Sequence, residues 1–156
     1  MVLPCVLQRP RNNKPRTLIA TISCRTLFDD DERLDELDAA LSEKHIDFCT
    51  LQETRCDGFF VTPTINFDIH TFGECSGQRG VGFAIHKRYS HLIKTACGVS
   101  DTDGRIMLID ILLHNNNHAT TIICSYSPHN TSSATVRRKF YSHLDKLVTC
   151  NTWLYW

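Results

Sequence analysis

The chain has 156 residues, 42% of them hydrophobic, which suits one domain, or most of one, with a core of ordinary size. Lysine plus arginine and aspartate plus glutamate number 17 each, so no whole-molecule field draws the protein to nucleic acid or to a membrane, and any polyanion binding must be local. The cysteines include no CxxC pair, the closest being Cys49 and Cys56, which argues against a zinc or disulfide scaffold.

Cys24, Cys49 and Cys124 lie in apolar runs, where a free thiol behaves as a small hydrophobe. No stretch approaches the ~18 apolar residues that a membrane span needs, and the first residues have the reverse charge order of a secretory signal. The expectation is an intracellular, reducing setting, with nucleus and cytoplasm unresolved.

In chain order, residues 1–16 carry Arg9, Arg11, Lys14 and Arg16 among prolines and asparagines, the composition of a flexible basic arm. Thr17 to Ser23 is β-branched and apolar on both faces, as expected of a strand inside a covered sheet. Asp29, Asp30, Asp31 and Glu32 then suit a helix N-terminus, and Leu34, Leu37 and Leu41 recur at helical spacing, so a helix should end near Lys44 or His45. Ile46 to Gln52 returns as a short buried strand. A strand–helix–strand unit of this kind forms a right-handed parallel crossover, which brings Ser23 and Glu53 to one edge, where ligands of open α/β sheets collect.

Further strands are expected at Asn66 to Phe72, Gly80 to His86, Arg105 to Leu113 and Thr120 to Tyr126, the last two joined by a hairpin turn at Asn115-Asn116-Asn117. A second helix should run from about Ser133 to Thr149, with Val136, Phe140, Leu144, Leu147 and Val148 on its apolar face. Residues 151–156 hold Trp153, Tyr155 and Trp156 without a charge and look like an aberrant or truncated tail.

Three places carry chemistry. Glu53 directly follows a buried strand, a costly position for a carboxylate unless something pairs with it. A hard cation such as Mg²⁺ would do so, as would Arg55 in a plain surface ion pair. Tyr126 closes a strand that would reach the same edge if it ran parallel to the first two; its hydroxyl could bond a phosphate oxygen, or the residue could belong to the core or to an interface. Asp103-Gly104-Arg105 reads as a turn entering a strand, from which Arg105 could offer a forked pair of donors to phosphate. The histidines show no HxH or HExxH spacing, and His86, His118 and His129 read as ordinary surface or loop residues.

Taken together, Ile19 to Leu27, Ile46-Asp47 through Leu51-Gln52-Glu53-Thr54-Arg55, Arg79-Gly80-Val81-Gly82-Phe83 with His86-Lys87, Gly104-Arg105-Ile106, Tyr126-Ser127-Pro128, and Phe140-Tyr141 with Leu144 follow an ordered pattern. It resembles the endonuclease/exonuclease/phosphatase superfamily, close to the retrotransposon-type endonucleases and their craniofacial development protein-like relatives. The resemblance covers roughly residues 17–149 and makes 17–150 the N-terminal part of such a domain. It implies an incomplete four-layer α/β sandwich that hydrolyses phosphoesters with Mg²⁺ or Mn²⁺. Glu53 matches the metal-binding glutamate, Tyr126 the tyrosine on the scissile phosphate, and Arg105 a supporting arginine. DNA or another phosphoester would be the substrate.

The chain departs from that pattern in two ways. Ser23 stands where the family has an asparagine in the metal and phosphate shell, with Ile22 for a tryptophan. The later Gly-Asp-x-Asn and Asp-His motifs are not in the sequence, so the chain as given is expected to be inactive. Ile109, Ile111, Ile122 and Cys124 are then expected to face water unless a partner chain covers the exposed sheet face, leaving the fold marginal. The other reading is a non-catalytic transposon-derived fragment or a weak nucleic-acid-binding module that uses the basic arm.

Overall fold

The computed structural model describes residues 17–27, 31–74, 79–112 and 120–149. The basic arm, the Asn115–Asn117 turn, His118 and the tail from 151 lie outside them.

The fold is mixed α/β, and its first unit is β1 (Ile19–Ser23), α1 (Asp31–Glu43) and β2 (Phe48–Gln52). β1 and β2 pair in parallel, Ile19 against Phe48 through Ser23 against Gln52, as the crossover requires. Then follow β3 (Gly58–Pro63), β4 (Phe67–Gly73), β5 (Val81–His86), a short 3-10 helix (Lys87–Leu92), β6 (Ile93–Gly98), β7 (Ile106–Ile111), β8 (Thr120–Ser125) and α2 (Ala134–Thr149). Two sheets result, a five-stranded one in the order β1-β2-β5-β4-β3 and a three-stranded one in the order β6-β7-β8.

Strand alternation gives the larger sheet two apolar faces. On one, Ala20, Cys49, Leu51, Ile69 and Ala84 form a core with Leu37 and Leu41 of α1. On the other, Phe48, Val81, Phe83 and Ile85 form a second core with Met107, Ile109, Ile111 and Cys124 of the smaller sheet. Close approach of the sheets needs a glycine: a Cβ on Gly98 would lie 2.1 Å from the Phe72 ring.

Buried acids fix the connections. Asp47 accepts from Leu18 N at 2.8 Å and pairs with Arg88, tying the start of β1 to the turn after β5. Asp38 of α1 accepts from Thr64 Oγ1 and, at 2.8 and 2.6 Å, from Asn66 N and Nδ2, holding the β3–β4 connection under the helix.

Several expectations change. Ile109, Ile111 and Cys124 do not face water, because the smaller sheet packs them against β2 and β5, and Ile122 is partly buried there too. β1 is an edge strand rather than a strand inside a covered sheet. Among the described residues it has a neighbour on one side alone, β2, and Ile19 is 48% exposed, with Thr21 and Ser23 exposed too. The β8 strand that precedes Tyr126 is not in the sheet of β1 and β2 but runs antiparallel to β7 in the facing one. β3 and β6, which the sequence pattern does not single out, are edge strands, with β3 exposed along most of its length and β6 interrupted by a bulge.

Candidate functional site

Backbone pairing of the larger sheet continues past its strands. Cys24 N donates to Gln52 O at 2.8 Å and Thr26 N to Glu53 O at 2.9 Å on one side of β2, while Thr54 N donates to Gly80 O at 3.2 Å on the other. Glu53 is therefore held from both flanks just beyond the carboxyl end of β2. The bend is strained. Arg25, Thr26, Glu53 and Arg55 all have positive φ, a conformation that side chains beyond glycine rarely adopt and that collects at functional sites.

The half-buried Glu53 carboxylate accepts from Ser23 Oγ at 3.3 Å, so the two residues expected at one edge do meet there. Glu53 does not pair with Arg55 among the described ion pairs.

Tyr126 arrives from the opposite sheet. Cys124 Sγ, two residues earlier, donates to Leu51 O at 3.3 Å, which aligns the end of β8 with the end of β2 across the sandwich. Tyr126 is half-buried, and its pKa is raised by burial, then by the Glu53 charge and a hydrogen bond to that carboxylate. Its hydroxyl also lies 3.4 Å from His129 Nε2.

Arg105 sits immediately before β7, after a turn in which Asp101, Asp103 and Gly104 have positive φ. Only 4% exposed, it places its guanidinium carbon 5.4 Å from the centre of the Tyr126 ring. Nη1 donates to the carbonyls of Tyr126 and Ser127 at 3.3 and 3.4 Å, and the buried Nε has no hydrogen-bond partner among the described residues. Its pKa is lowered, first by burial and then by Arg79. Arg79 is bridged to Asp103 at 3.1 Å, which puts a second guanidinium close to the first.

All four residues singled out in the sequence, Ser23, Glu53, Arg105 and Tyr126, thus belong to one end of the sandwich. Arg79, Asp103 and His129 join them. Arg79 belonged to a recognisable motif without an assigned role, and His129 had only its place three residues after Tyr126 as a signal. A cleft of about 650 Å³ beside the site is lined by Ser23, Arg25, Arg33, Glu36 and Glu53, among others. Among the described residues, no group of three or more histidine, cysteine, aspartate or glutamate side chains could hold a metal ion. Of the carboxylates around the site, Asp103 is bridged to Arg79 and Glu36 lines the cleft, while Glu53 is the one hydrogen-bonded to Ser23, and no described helix is long and apolar enough to cross a membrane.

What fold and site define is a mixed α/β protein with two sheets and a carboxylate–tyrosine–arginine cluster at one end. The chain matches no family model and no curated protein.

Proposed function

We propose that Glu53, Ser23, Tyr126 and Arg105 form the metal- and phosphate-binding side of a phosphoester hydrolase site of the endonuclease/exonuclease/phosphatase kind, within an incomplete four-layer α/β sandwich. The observation that carries this reading is that Glu53, hydrogen-bonded to Ser23 at 3.3 Å, shares one end of the fold with Tyr126 of the facing sheet, whose ring lies against the buried Arg105 guanidinium at 5.4 Å and whose pKa the Glu53 charge helps to raise. A carboxylate attracts a hard divalent cation, and guanidinium groups with a phenol attract phosphate oxygens.

A single carboxylate fits Mg²⁺ or Mn²⁺ that keeps much of its water and takes other ligands from substrate, and does not fit a closed cage of protein ligands. When bound, the ion supplies Lewis-acid polarisation and activation of water. The protein's own groups do the rest. Ser23 orients Glu53 through its hydrogen bond. Tyr126, with its pKa raised, stays protonated at neutral pH and donates to a phosphate oxygen. Arg105 holds the Tyr126 backbone and brings positive charge behind it.

These groups bind and orient. A base for water is worth about 10² to 10⁴-fold; none of the four residues is suited to that role, and the nearby His129 has its Nε2 engaged with the Tyr126 hydroxyl at 3.4 Å, so hydrolysis by the chain as given is weak or absent while metal and phosphate binding persist. DNA or another phosphoester is the proposed ligand.

The test measures Mn²⁺ binding by water-proton relaxation, with and without an abasic-site or plain DNA duplex, alongside Mg²⁺-dependent cleavage of both. Binding that strengthens with duplex and falls about tenfold or more in Glu53→Ala is expected. Mn²⁺ binding indifferent to Glu53→Ala would reject the reading.

A further inference from the structure

We propose that Arg79 is the guanidinium that contacts the ligand's phosphate at this site, and that Asp103 holds it aside until the ligand arrives. The inference rests on the phosphoester reading above and assigns a residue that reading leaves without a role. Arg105 is 4% exposed, its Nη1 is committed to the Tyr126 and Ser127 carbonyls, and its Nε is buried. A guanidinium enclosed in this way supplies charge from behind the Tyr126 ring but offers phosphate little of its fork. The Arg79 side chain, by contrast, is 40% exposed.

Backbone bonds place Arg79 beside the site. Arg55 N donates to Arg79 O at 2.6 Å and Thr54 N to Gly80 O at 3.2 Å, next to the strained bend at Glu53. Its charge reaches both neighbours. After burial it is the next cause that lowers the Arg105 pKa, and with Arg105 it opposes the rise that burial and Glu53 impose on Tyr126. Asp103 supplies one negative charge for these two positive ones, and a phosphate seated between them would relieve the remaining repulsion.

Asp103 is the fixed partner of the pair. It stands in the turn before β7 with a φ of 57°, between Thr102, whose Oγ1 donates to Val99 O at 2.6 Å, and Gly104, where a Cβ would lie 2.6 Å from Glu74 N. Arginine has the longer side chain with more rotatable bonds, so Arg79 is the one that moves. Its bridge to Asp103 at 3.1 Å is half-exposed at both ends, the kind of pair that solvent and salt screen. Two parallel bonds to a phosphate are stronger, so the phosphate displaces the carboxylate.

The test follows binding of a fluorescein-labelled plain DNA duplex to the full chain with Mn²⁺, by anisotropy at several salt concentrations. Arg79→Gln should weaken binding about tenfold, as expected for a hydrogen bond between charged groups, and should reduce the slope of log affinity against log salt by about 0.9, one phosphate contact. Asp103→Asn should tighten binding about two- to fivefold, since the bridge it removes is a weak one. The double variant should bind as weakly as Arg79→Gln, which separates release of Arg79 from the mere loss of a negative charge. Tightening by Asp103→Asn that survives in the double variant would overturn the proposal. Affinity and slope unchanged in Arg79→Gln, with binding that still falls in Glu53→Ala, would overturn the role of Arg79 and leave the site standing. Binding indifferent to Glu53→Ala would reject the site and this inference with it.

Discussion

Arg105 and Tyr126 hold each other twice: Tyr126 N donates to Arg105 O at 2.8 Å, and Arg105 Nη1 returns a bond to Tyr126 O at 3.3 Å. The first bond extends the β7–β8 ladder, and the second fixes the chain as it leaves that ladder, with the guanidinium over the phenol ring. Lysine keeps the charge but not the fork. Arg105→Lys should therefore destabilise the protein by about 1–3 kcal/mol, the range for losing hydrogen bonds from a charged donor, read as a lower urea midpoint with an unchanged slope. An unchanged midpoint would mean that the carbonyl bonds contribute nothing.

Tyr126 also reports on Glu53. Its pKa is raised by burial first and then by the Glu53 charge and hydrogen bond. Glu53→Gln removes the negative charge that opposes the phenolate, so the Tyr126 pKa should fall back towards its ordinary value of 10.0. The phenolate absorbance of this residue, isolated as the difference from Tyr126→Phe, follows it. A rise in pKa in Glu53→Gln would contradict the geometry of the site.

The contact between the sheets can be weighed by truncation. Ile109 lies wholly inside the second core, whereas Ile19 is 48% exposed at the uncovered end of the larger sheet. Ile109→Ala should destabilise by about 2–5 kcal/mol through lost burial and a cavity. Ile19→Ala, which empties no enclosed space, should stay under about 1 kcal/mol. Equal effects in chemical denaturation would mean that the smaller sheet is not firmly packed on the larger.

Thiol chemistry sets the alkaline limit. Burial first, then Cys124 and Glu53, push the Cys24 pKa up to about 12, and burial pushes Cys124 up to about 11, from the ordinary 9.0. The unfolded chain loses these protons before the folded one does. Their contribution to stability is complete below about pH 9 and is lost as pH rises from there through about 11 to 12. Urea midpoints from pH 8 to 11 should fall accordingly, and alkylation mapped by mass spectrometry at pH 8 should spare Cys49 and Cys124 until the protein unfolds. Rapid native labelling of Cys124 would overturn this.

Asp38 sets part of the acid limit. Burial raises its pKa, but the hydrogen bonds from Thr64 and Asn66 outweigh that and leave it below the ordinary 3.8. A depressed folded value contributes stability that is present above 3.8 and is lost as pH falls through the folded pKa. Asp38→Ala should thus destabilise the neutral-pH protein and flatten its loss of stability below pH 4. An unchanged acid profile in the variant would show that the loss arises elsewhere.

Local patterns carried much of the architecture. Leu34, Leu37 and Leu41 at helical spacing marked α1, and the β-branched runs around Ala20 and Leu51 marked the two strands it joins. Their parallel pairing followed from the crossover, and with it the meeting of Ser23 and Glu53. β3 escaped notice because Phe59, Phe60 and Val61 neither alternate with polar residues nor lie in a buried run, and β6 because its bulge breaks the period of two.

Sequence alone determined which segments form strands and helices in the cores, since periodicity of apolar residues expresses the burial that each element needs, and it marked Glu53, Arg105 and Tyr126 as residues at element ends. Tertiary structure alone decided that Tyr126 reaches the Glu53 end from a facing sheet, that the β7 isoleucines are covered, and that β1 and β3 stand at the two ends of the larger sheet among the described residues. Those outcomes depend on which strands become neighbours and which sheet lies over which. Contacts between residues some seventy positions apart, such as Cys124 on Leu51, settle that choice, and no local pattern encodes them.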